Sequence, residues 1–155
     1  MKRFLKYWLP LLIWLGVIFL GSTDLMSAEH TSRFIVPFLR WLKPDISPET
    51  LVSVQFVVRK SAHLGEYAVL ALLLFRAVVC VPNLIWSVWL LCVSIWIACV
   101  VLAGTDEFHQ SFVKSRTASV RDVMIDSAGA IVGLLSGAVF AARRSKNIER
   151  TPAKS

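Results

Sequence analysis

A lysine, a histidine and a tyrosine recur at spacings of three and four residues in RKSAHLGEY, as Lys60, His63 and Tyr67. Further along, TDEFHQ brings together the carboxylates of Asp106 and Glu107, the imidazole of His109 and the amide of Gln110. The run from Arg116 through Ser119 and Asp122 to Asp126 adds a guanidinium, a hydroxyl and two more carboxylates. An imidazole beside a carboxylate titrates near neutral pH and can move a proton, so His63 with Asp106, Glu107 or Asp122 is the candidate acid–base set. Lys60 and Arg116 can hold a phosphate or carboxylate, arginine in bidentate fashion. Tyr67, Gln110, Ser119 and Asp126 complete a candidate ligand-holding set. The same carboxylates and imidazoles are metal-ligand types, but the two cations oppose a metal's charge, and no residue is assigned as a metal ligand.

Helical phase decides which of these groups can meet. At about 100° per residue, Lys60, His63 and Tyr67 fall within roughly 60° of one face, with Glu66 about 60° further round. Asp106, His109 and Gln110 share a face, and Glu107 is rotated from it by about 100°. Ser119, Asp122, Asp126, Gly129, Gly133 and Gly137 step by threes and fours, forming one stripe about 80° wide. The glycine half of that stripe is a doubled GxxxG, which lets a second helix approach closely in lipid. The acidic half then points into a bundle rather than at lipid, and an ionisable residue as deep as Asp126 faces a partner or a water-filled cavity.

The elements that must carry these residues are set by composition. The chain has 155 residues, 56% hydrophobic, a net charge of +7 and a mean hydropathy of +0.65, far too apolar for an ordinary soluble domain. Residues 5–20, 64–82, 84–103 and 123–142 each approach the roughly 20 residues that cross about 30 Å of hydrocarbon. The expectation is an all-α membrane protein, a bundle of four transmembrane helices. The first segment, behind Lys2, Arg3 and Lys6, also has the look of a secretory signal; its length and the poor small-x-small site in LMSA favour a retained span.

Basic residues precede the first span, and Arg143, Arg144, Lys146, Arg150 and Lys154 follow the last, which places both termini in the cytoplasm. Of the ten acidic residues only Glu149 falls on that side. Residues 1–142 then form the membrane domain, and 143–155 a basic, disordered cytoplasmic tail in a bacterial inner membrane. The VPN connection is an inner turn, with Arg76 able to snorkel towards it. On the outer side, Phe34, Phe38, Trp41 and Leu42 recur at helical spacing, suggesting a short interfacial helix; the competing reading is an irregular loop broken at Pro37. Ser47-Pro48 starts a helix that runs about 50 Å to residue 81 and so projects beyond the bilayer. Cys80, Cys92 and Cys99 lie in apolar spans and read as core filler.

The combined pattern of Lys60, His63 and Tyr67, then Asp106, Glu107, His109, Gln110 and Phe112, then Arg116, Ser119, Asp122, Gly129 and Gly133, resembles the VanZ-like family of bacterial membrane proteins, over nearly the whole chain. The resemblance transfers Lys60, His63, Tyr67, Asp106, Glu107, Gln110, Arg116, Asp122 and Gly129 as motif residues. At the position of Asp126 the family's pattern often carries Asn. The family's namesake is associated with resistance to the glycopeptide antibiotic teicoplanin, but the resemblance implies no particular reaction, substrate or cofactor.

Three functional readings stay open. The site is a catalyst acting on an anionic amphiphile, such as a lipid-linked envelope precursor; or a binding module for it; or a polar cluster that staples the helices. No GxSxG elbow or outer cysteine supplies an activated nucleophile, and Ser111, Ser115 and Ser119 have no evident base. The expected partners are membrane lipids and an amphiphilic ligand rather than nucleic acid, with the Gly129/Gly133/Gly137 stripe available for packing within the chain or between copies.

Overall fold

The computed structural model describes residues 2–24, 28–80, 87–113 and 118–150. They form five helices: α1 (Lys2–Ser22), α2 (Ala28–Leu42), α3 (Pro48–Val79), α4 (Val88–Gln110) and α5 (Val120–Arg150). Four of them, α1, α3, α4 and α5, are long and apolar enough to cross a membrane. The expected all-α, four-span architecture is therefore the observed one. The VPN connection and the last five residues lie outside the described residues, and α5 is helical through Arg150.

Local chemistry explains where the helices begin. Ser47 has extended backbone angles and its hydroxyl accepts from the Thr50 N–H at 3.2 Å, while Pro48 occupies the first turn, where its missing N–H is harmless. Ser87 caps α4 in the same way, accepting from the Leu90 N–H at 3.3 Å. Pro37 sits inside α2 without ending it, so the segment that sequence left between helix and loop is a helix. Its stripe of Phe34, Phe38, Trp41 and Leu42 is exposed, and among the helices α2 touches only α3.

α3 is the centre of the bundle, packing against all four other helices. Its core residues Tyr67, Leu70, Ala71 and Phe75 meet Leu91, Ile95 and Cys99 of α4 and Ala130 and Leu134 of α5. Large side chains such as Phe19, Val101, Leu135 and Phe140 are exposed on the outside. Water would not tolerate that surface, but lipid is as apolar as the side chains, so only close packing and polar contacts distinguish inside from outside.

The glycine stripe shows how tight the packing is. A Cβ on Gly129 would fall on the backbone carbonyl of Leu64, one on Gly133 on that of Ala68, and one on Gly137 within 2.8 Å of the Phe75 ring. The stripe is thus packed against α3 of the same chain.

α1 is an integral part of the bundle, with Leu11 and Ile18 in the core. Trp14 donates from Nε1 to the backbone carbonyl of Glu66 at 2.9 Å. A Trp14→Phe variant keeps the packing and loses that bond, and is expected to lower stability by about 1 kcal/mol in a detergent melt. At the far end Arg76 lies over the Tyr7 ring, 5.2 Å from its centroid, a cation–π contact that steadies its exposed head group.

Candidate functional site

The polar residues gather at the end of the bundle where α1 and α4 finish and α3 and α5 start. Asp122 and Asp126, one turn apart, continue the glycine stripe of α5 and so face α3. Lys60 Nζ pairs with Asp122 Oδ1, and the Phe56 ring lies 5.2 Å below the ammonium. One turn deeper, His63 Nδ1 meets Asp126 Oδ1 at 3.2 Å. A carboxylate can only accept, so an ionised Asp126 fixes the imidazole proton on Nδ1 and leaves Nε2 as the free nitrogen.

The end of α4 divides its polar residues among different neighbours. Glu107 turns towards α5: its Oε2 accepts from the backbone N–H of Ser119 at 2.7 Å, tying the start of α5 to the end of α4. Gln110 Nε2 donates to Asp106 Oδ2 at 2.9 Å, one turn back on the same helix. His109 points to α1, where Ser22 Oγ lies 3.4 Å from Nδ1 and the Phe19 ring 5.4 Å from the imidazole. Asp106 thus shares the cleft with Gln110 and a second cavity with His109, so the face expected for the three holds, with Asp106 at its centre.

A cleft of about 320 Å³ opens on the other side of His63, between α1, α2, α3 and α4. Its apolar wall includes Ile35, Val52 and Phe56, and its polar wall Arg59, His63, Asp106 and Gln110. His63 belongs to two faces of α3 at once: Lys60, His63 and Tyr67 look towards the core and α5, whereas Arg59, Ala62, His63 and Glu66 line the cleft. Tyr67 is buried and borders a second cavity, also about 320 Å³, beneath Leu15, Ile18 and Asp106.

The structure thus brings Lys60, His63, Asp122 and Asp126 together across α3 and α5, adds Glu107 and Ser119 from the α4–α5 junction, and places Asp106 and Gln110 on the cleft. Arg116 lies outside the described residues. The residue that sequence reasoning missed is Arg59. Its Nε and one terminal nitrogen are buried with no hydrogen-bond partner among the described residues. Its signal was the spacing to Ala62, His63 and Glu66 by threes and fours, overshadowed by the adjacent Lys60 stripe.

No curated protein and no solved structure matches the chain. A family model described as VanZ/LLP1 matches residues 7–141, a span that begins in α1, ends in α5 and contains the whole polar cluster. With four helices fit to span a bilayer and a family model that matches most of the sequence, the chain is a multi-pass membrane protein that belongs to the VanZ/LLP1 family.

Proposed function

We propose that the protein sits in the bacterial cytoplasmic membrane with both termini inside, and that its cleft takes the anionic head group of an amphiphile from the outer leaflet. Arg59 carries this reading. A guanidinium with two buried, unpartnered nitrogens is costly unless an acceptor arrives, and its fork suits a phosphate or carboxylate held bidentately. Ile35, Val52 and Phe56 offer the adjoining apolar surface for a lipid chain, and the volume is in the range of small-ligand sites. Orientation rests on Lys6 and Arg143, at the bundle end opposite the cleft. An anionic head group beside an apolar wall fits a lipid-linked envelope precursor or a lipoglycopeptide, and the family's namesake supplies the link to glycopeptide resistance.

The test is retention of a labelled polyprenyl phosphate by the purified protein, with a zwitterionic lipid as control. Arg59→Gln is expected to weaken retention about 10- to 100-fold, the worth of a charge-assisted bidentate contact, with little change in melting temperature. Equal retention by the variant would sink the reading. A second reading, that the cluster only staples helices, is favoured by the Lys60–Asp122 and His63–Asp126 pairs that join α3 to α5. It predicts no selective retention at all. Turnover of a labelled lipid-linked precursor by wild type but not by His63→Ala would extend binding to catalysis, with His63, Asp106, Glu107 and Asp122 as the candidate acid–base groups.

A further inference from the structure

His63, Glu107 and Asp126 come from three helices, α3, α4 and α5, and converge on one buried point. Each offers one donor atom, and the three atoms lie within 4.8 Å of one another. The residues are 6%, 5% and 0% exposed. Two oxygens of the cluster, Glu107 Oε1 and Asp126 Oδ2, are buried with no hydrogen-bond partner among the described residues. Nor does any lysine or arginine nitrogen among them lie within 4.0 Å of either carboxylate; Lys60, one turn before His63, is committed to Asp122. Two buried carboxylates facing one imidazole leave negative charge that a membrane interior does not tolerate unpaired.

We propose that these three side chains bind one divalent transition-metal ion, Zn²⁺ or Mn²⁺. A neutral imidazole with two carboxylates carries a charge of −2, which such an ion cancels, and the mixed nitrogen and oxygen donors suit these metals. Around an ion with bonds of about 2.1 Å, tetrahedral ligands stand roughly 3.4 Å apart. The 3.2 Å between His63 Nδ1 and Asp126 Oδ1 is close to that spacing, and one Glu107 oxygen lies within 4.8 Å of the other two donor atoms; an ion bound there would displace the proton that Nδ1 otherwise donates to Asp126. The Ser119 N–H on Glu107 Oε2 is the kind of outer contact that orients a metal ligand. Three protein ligands leave a coordination position open, and of the three only His63 also borders the cleft. Lys60 opposes a metal less than its charge alone suggests, because Asp122 already neutralises it.

The test uses the full chain in detergent with no amphiphile present, so its failure leaves the amphiphile reading standing and its success does not depend on it. Protein stripped with chelator and reloaded with Zn²⁺ or Mn²⁺ alone is expected to hold about one ion per chain by elemental analysis and to melt about 5 °C higher. Glu107→Gln and Asp126→Asn, which keep an acceptor for the Ser119 N–H and for His63, are expected to weaken retention about tenfold or more while remaining helical by circular dichroism. If the stripped wild type neither retains nor is stabilised by either ion, the proposal is overturned and a proton between the carboxylates takes the ion's place. Folded variants that bind as tightly as wild type overturn it equally. Should the variants misfold, the stripped and reloaded wild type decides alone.

Discussion

Gly133→Ala is expected to lower stability by about 3 kcal/mol, and Gly129→Ala by a similar amount, the upper range for overpacking. The added methyl would land on the backbone carbonyl of Ala68 or Leu64. A flexible side chain could swing away from such a methyl; a carbonyl inside a helix cannot, so α3 and α5 must separate. Separation also stretches Lys60–Asp122 and His63–Asp126, which cross the same interface. The controls are internal. Gly16, Gly65 and Gly104 have open space where a Cβ would stand, and alanine there is expected to be neutral or to stabilise by up to about 1 kcal/mol. Thermal melts of the five variants in one detergent check the series; because alanine improves helix propensity at every one of these positions, a loss at Gly104 equal to that at Gly133 would mean that helix approach is not the cause.

The second large effect is asymmetric. Lys60→Met should cost about 3 kcal/mol, because it strands a buried charge, whereas Asp122→Asn should cost half as much, about 1.5 kcal/mol. The difference lies in escape: the Lys60 side chain is 20% exposed and can carry its ammonium outwards on its methylenes, but that of Asp122 is 1% exposed and has nowhere to go. The double variant Lys60→Met with Asp122→Leu removes both charges and should recover much of the loss, as replaced buried ion pairs do elsewhere. A double variant no more stable than Lys60→Met alone would show that shape, not charge, is what the pair contributes.

The α5 stripe was legible in the sequence because one neighbour, α3, reads a single face of it. Residues 119 to 137 therefore repeat at one helical period, polar then glycine, and both halves meet the partner that the period implies. The end of α4 was legible in part: Glu107 is rotated from its neighbours as the phase implies and goes to Ser119, and Asp106 joins Gln110 at the cleft and His109 at the second cavity. What the phase did not give is that His109 also meets Ser22 of α1. Helical phase gives angles between residues, but not how many neighbours surround them. The same limit hid Arg59. Only the arrival of α1 and α2 against α3 turns its face into a cleft wall, and those contacts are distant in sequence.

The exposed aromatic face of α2 has a consequence for depth. Phe34, Phe38 and Trp41 are exposed on a helix that, among the described helices, packs against α3. Moving such a face from lipid to water costs several kcal/mol at roughly 25 cal/mol per Å² over three large rings. α2 then acts as a float, and α3, about 48 Å long at 1.5 Å per residue, as the mast it is moored to. A float at the interface would hold the cleft at a set height above the bilayer midplane, since Thr31 and Ile35 of α2 form part of the cleft itself. A membrane that thins or thickens moves its head groups relative to that height, so the same site would meet a different slice of the same lipid.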